Sequence, residues 1–92
     1  MKLEWDAAKA ESNKAKHGVR FNVAARVFLD PGRIEAHDGR EDYGEDLWAT
    51  IGYADPALLY VVYTVRDEEI IRLISARKAN ENERKEYRQA NS

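Results

Sequence analysis

The sequence predicts an α+β domain: two N-terminal helices, an antiparallel sheet of three to four strands, and a C-terminal helix. Three observations carry that expectation. Apolar residues at helical spacing and clear helix stops fill the stretch up to Asp30. β-branched and aromatic residues with tight turns dominate 47–77, and a capping signature opens at Asn80. With 92 residues, the span 1–92 makes one domain around one core.

The first helix is predicted over Ala7–Lys16. Asp6 stands as N-cap, the segment is rich in Ala and Lys, and Gly18 after His17 suits the left-handed position that ends a helix. A second helix is expected from Asn22 to Leu29, where Val23/Val27 and Ala24/Phe28 make one apolar face and Asp30-Pro31-Gly32 stops the chain. Ile34 and Ala36 then alternate with polar neighbours as a short strand. Asp38 to Asp46 reads as an acidic loop, and Leu47 to Tyr53 as the next strand. Leu58–Arg66 and Glu69–Arg77, separated by Asp67-Glu68, read as an antiparallel hairpin. Asn80 with Glu83 three residues on has the capping-box spacing, and Glu81/Lys85 form an i, i+4 pair in the last helix.

Net charge is −2, but its distribution is uneven. Residues 1–29 hold six Lys/Arg against three Asp/Glu, residues 30–46 two against seven, residues 47–69 one against four, and residues 70–92 six against three. A fold that joins the two ends makes a basic patch on an acidic body, the footprint of a polyanion ligand; the alternative is that these are solvated faces. The absence of cysteine leaves no disulfide or thiolate metal site and suits a reducing cytosol. The N-terminus lacks the apolar run of a signal peptide, and the longest apolar run, within Ala57–Val65, is too short for a membrane helix, so a soluble, cytoplasmic protein is expected.

Candidate functional residues begin in the last strand. Strict alternation puts Ile70, Arg72, Ile74 and Ala76 on one face and Ile71, Leu73, Ser75 and Arg77 on the other. Arg72 among apolar residues needs an acidic partner or a solvent-facing groove. Arg77 precedes a helix N-terminus, where an anion is favoured, and Arg66 ends the preceding strand. Three guanidiniums on one hairpin suit bidentate capture of a phosphate; equally, each can pair with Glu69, Asp67 or Glu83. His17 can shuttle protons or simply interact with the last carbonyls of its helix. His37, Asp38, Glu41 and Asp42 match no metal-ligand spacing. No P-loop, nucleophile elbow or dinucleotide-binding glycine pattern is present.

Several stretches, in order and over nearly the whole chain, resemble the BrnT toxins. They are Glu4-Trp5-Asp6 with Ala8-Lys9, Lys16-His17-Gly18-Val19 with Phe21, Ala24-Ala25 with Val27 to Pro31, Ile51-Gly52, Val61 to Thr64 with Arg66, and Ile70–Arg77 leading to Glu83-Arg84 and Tyr87. The resemblance implies a RelE-like fold and a metal-independent endoribonuclease that inhibits translation and is neutralised by a BrnA-like antitoxin. Contact with DNA would come only through that partner. It matches Arg77 to the arginine that ends the last strand, a position used at RelE-type active sites. Cleavage by an adjacent 2′-hydroxyl needs a base and cations on the phosphorane. On this reading Arg77 and Arg66 supply the cations, His17 or Glu83 the base or acid, and Arg72, Lys14 and Arg84 bind the RNA backbone, with Tyr87 orienting a group. One departure stands out: Leu47 occupies a position where family members commonly carry an arginine. That departure supports an alternative, a non-catalytic module that binds a DNA-binding antitoxin and modulates its repression.

Overall fold

The computed structural model describes residues 2–42 and 45–92, with the backbone alone for 36–42 and 45. The order is β1 (Lys2–Glu4), α1 (Ala7–His17), α2 (Phe21–Ala24) running into a 3₁₀ turn (Ala25–Leu29), β2 (Ile34–Asp42), β3 (Glu45–Ala54), β4 (Ala57–Arg66), β5 (Ile70–Lys78) and α3 (Glu81–Ala90). The strands form one five-stranded sheet in the order β1-β5-β4-β3-β2.

Local chemistry sets both ends of α1. The Asp6 carboxylate accepts from the Ala8 and Lys9 N–H groups, and Gly18 sits at φ 72° with its N–H donated to the Lys14 carbonyl. The second helix is α-helical only over Phe21–Ala24. It tightens into the 3₁₀ turn before Asp30, whose carboxylate accepts from the Gly32 N–H to shape the Pro31-Gly32 bend.

Four expectations are corrected. The sheet is mixed, because β1 pairs parallel with β5 (Lys2 with Ile70, Leu3 with Ile71, Glu4 with Arg72), while the other pairings are antiparallel. A three-residue strand has no periodicity of its own; its partner defines it. The sheet has five strands, not three or four. Much of the expected acidic loop is strand: β2 runs to Asp42 and β3 begins at Glu45, their register shifting between His37 and Glu41. The side chains of His37, Asp38, Glu41 and Asp42 lie outside the described residues.

The fourth correction concerns which way β5 faces. Val62 pairs with Ser75 but Tyr63 pairs with Leu73, so Ile74 is an extra residue, a β-bulge. Leu73 and Ala76 are therefore both fully buried in the core, three positions apart. Arg72, Ser75 and Arg77 share the opposite face, paired with Thr64, Val62 and Tyr60. Strict alternation had separated Arg72 from Arg77.

α1, α2 and the 3₁₀ turn cover the core face, packing Phe21, Ala24, Val27 and Phe28 on Leu59, Val61, Tyr63, Leu73 and Ala76. Gly52 lets the 3₁₀ turn approach closely: a Cβ there would meet Val27 Cβ at 2.9 Å. The other face holds Leu47, Ala49, Ile51 and Val62, all buried, and α3 crosses part of it. The fold does join the two basic ends, since β1 pairs with β5 and α1 packs along it.

Candidate active site

Arg77 is the best-placed guanidinium on the α3 side of the sheet. Its strand partner is Tyr60, and the guanidinium carbon stacks 4.2 Å above that ring. Its two terminal nitrogens donate to the two Glu83 oxygens at 2.8 and 2.9 Å, a fork-to-fork pair. Glu83 is fixed in turn by the α3 capping box. Its Oε1 accepts from the Asn80 N–H at 2.9 Å, while its own N–H donates to Asn80 Oδ1 at 2.9 Å. Burial pushes the Glu83 carboxyl up, but donors from Arg77 and the Asn80 N–H outweigh it and leave the group below its ordinary value. Glu83 is thus a carboxylate at neutral pH and a weak proton acceptor. An arginine held over a ring and aimed at two oxygens also fits two phosphate oxygens.

The other residues singled out in the sequence are distributed more widely. Arg66 pairs with Ile70 at the far end of the β4–β5 hairpin, six residues along β4 from Tyr60. At about 3.3 Å per residue this is roughly 20 Å from Arg77, too far to share one phosphate. Arg72 donates to Glu4 at 2.7 Å across the parallel β1 pairing, so its acidic partner comes from a strand the sequence did not announce. Arg84 is tied to its own helix start, donating to the Ala79 carbonyl at 2.8 Å and to Glu81 at 2.7 Å. Glu81 thus pairs with Arg84, and with Arg88 at 3.7 Å. The Tyr87 hydroxyl donates to Asp30 at 2.7 Å, one helical turn beyond Glu83, and that carboxylate raises its pKa to about 12. Lys14 lines a groove with Trp5, Arg20 and Phe21. His17 lines a different cleft with Lys9, Lys16, Ile74 and Ser75.

Two residues were missed. Asn13, mid-α1 and only 6% exposed, donates to the Val19 and Ala76 carbonyls at 2.9 Å and accepts from the Ala76 N–H at 3.0 Å. Its signal was a poor helix former in the middle of a strong helix. Asp30 accepts from Tyr87, the Tyr53 N–H and the Gly32 N–H, joining the 3₁₀ turn, β3 and α3. No group of His, Cys, Asp and Glu suited to a metal occurs among the described residues.

A family profile described as the ribonuclease toxin BrnT of type II toxin–antitoxin systems matches residues 5–83. The chain belongs to the BrnT family. Membership of a type II toxin–antitoxin family implies an antitoxin partner. The fold agrees: the crystal structure of the Brucella abortus ribonuclease toxin BrnT aligns with a TM-score of 0.69 at 26% identity, covering 88% of this chain and 99% of that one. No curated protein matches the sequence. The BrnT profile ends at Glu83, in the first turn of α3, so it spans the Arg77–Glu83 pair but little of the helix beyond. No helix among the described residues is long and apolar enough to cross a membrane.

Proposed function

We propose that this BrnT-family chain is a metal-independent, RelE-like endoribonuclease acting in the cytoplasm. It cleaves RNA, inhibits translation, and is neutralised in a complex with a BrnA-like antitoxin through which alone it meets DNA. The observation that carries this reading is the Arg77 fork, held on Tyr60 and already matched to a two-oxygen anion. In the reaction a 2′-hydroxyl gives up its proton and attacks the adjacent phosphate, the bond to the 5′-oxygen of the next nucleotide breaks and that oxygen leaves with a proton, giving a 2′,3′-cyclic phosphate; Arg77 exchanges Glu83 for the phosphate oxygens and stabilises the charge that develops on them. His17 is the better candidate for the proton, because Glu83 is held as a weakly basic carboxylate. Arg66 and Arg72 serve RNA farther along the hairpin, and Arg84 and Tyr87 hold α3 in place.

One observation favours a second reading, a non-catalytic module that binds the antitoxin and modulates its repression. Leu47, at a position to which the resemblance gives an arginine, is 4% exposed on the same sheet face as Arg77. Inducible expression in bacteria of the chain, Arg77→Ala and Leu47→Arg, following growth and total RNA, separates the two. The nuclease reading expects arrest and RNA loss with the unmodified chain and neither with Arg77→Ala. Harmless expression of the unmodified chain with arrest restored by Leu47→Arg supports the module; harmless expression of all three removes the nuclease reading.

A further inference from the structure

We infer that the cleft where α1 overhangs the open edge of β5 is a second RNA-backbone site, taking phosphates next to the one at Arg77. The inference rests on the RNA-cleaving reading above. β1 covers the outer edge of β5 only from Ile70 to Arg72. Beyond it, the backbone of Ala76 faces α1 instead of a strand, and the Asn13 amide supplies both the donor and the acceptor a strand would have provided. Lys9 and Lys16 lie one turn to either side of Asn13 on the same stripe of α1, with Ser12 and His17 beside them.

These residues, with Ile74 and Ser75, line a cleft of about 250 Å³, with no Asp or Glu among its described lining residues. The contrast with the neighbouring concavities is one of charge. The groove along Lys14 and Arg20 includes Glu11, and the cavity beneath α3 includes Glu83 and Glu86. Ser75 precedes Arg77 by two residues on the same face of β5, about 7 Å along the strand. An RNA backbone held at Arg77 therefore meets Ser75 next, then Lys9 and Lys16 as it crosses the sheet edge. Because Asn13 is bonded to the residue between Ser75 and Arg77, the α1 cations and Arg77 keep a fixed spacing before RNA arrives.

The test is binding of a short unstructured 2′-O-methyl RNA, which cannot supply the attacking hydroxyl, read by fluorescence anisotropy over a range of salt. Lys9→Glu/Lys16→Glu is compared with Arg26→Glu/Lys85→Glu, which makes the same change in net charge elsewhere on the surface. The α1 pair is expected to weaken binding about tenfold and to lower the log–log salt slope by about 1.4, two phosphates' worth on a single strand, against about twofold or less for the control pair. Lys9→Gln/Lys16→Gln repeats the effect at smaller size and guards against misfolding of the charge-reversed chain. An unmodified chain that cleaves RNA while the α1 pair binds like the control overturns this site alone. An unmodified chain that neither binds this RNA nor cleaves its 2′-hydroxyl counterpart overturns the nuclease reading and this site together.

Discussion

α1 and α3 both carry cations and both lie beside the strand bearing Arg77, yet they are attached in opposite ways. α1 is held from within: Asn13 is buried against β5, and Leu3, Ala10 and Ile71 pack around the core beneath it. α3 has no buried residue at all. Arg77–Glu83 and the capping box hold its first turn, while Tyr87–Asp30 and the Asn91 amide on the Gly32 carbonyl hold its last. The difference teaches where rigidity resides. α1 is part of the scaffold, and α3 is fastened to it by polar contacts that water, acid or a competing anion can replace.

Asn13→Ala probes the scaffold side and should have the largest effect. It strips partners from the Val19 carbonyl and from both backbone groups of Ala76, so unfolding by urea should show a loss of about 3 kcal/mol over the whole domain. A loss below about 1 kcal/mol would mean that α1 is as loosely fastened as α3, and the contrast would collapse. Tyr87→Phe probes the other side. Losing one hydrogen bond to Asp30 should cost about 1 kcal/mol or less and raise amide exchange in α3 while leaving α1 protected.

Acid should make the most local change. Asp30 is pushed up by burial but brought below its ordinary value of 3.8 by donors from Tyr87, the Tyr53 and Gly32 N–H groups, and Arg33; Glu83 is likewise below 4.5. Carboxyls lowered by folding stabilise it above their unfolded values, and that contribution is lost as pH falls through the folded ones. Both fasteners of α3 should therefore weaken below about pH 4. Amide exchange followed by NMR should quicken in α3 in that window while the amides of α1 around the buried Asn13 stay protected. Simultaneous loss of both helices would show that α3 is integral to the fold.

What was legible in the sequence follows the same division between local and distant causes. The ends of α1 and the capping box of α3 rest on residues at most a few positions apart, and Asp6, Gly18 and Asn80 behave as their types require. The pairing of Arg77 with Glu83 was legible for that reason, six residues bridged by one turn and a cap. β1 was invisible because its only support is a strand at the other end of the chain. The predicted hairpin already put Arg66 beside its turn and Arg77 at its open end, so their separation was legible. That Glu4 arrives beside Arg72 was not. Leu47 was noticed as a departure, but its burial on the Arg77 face is a property of the sheet.

The bulge at Ile74 has a consequence for the length of β5. On an uninterrupted strand, shortening by one residue inverts every side chain beyond the cut, which would turn Arg77 inward and Ala76 outward. At Ile74 the arithmetic reverses. Removing that residue leaves Leu73 and Ala76 on the core side and Arg72, Ser75 and Arg77 on the other, now in plain alternation. This is the one point in β5 where the chain can lose a link without exchanging inside for outside, and so where homologous strands of unequal length can still present the same arginine.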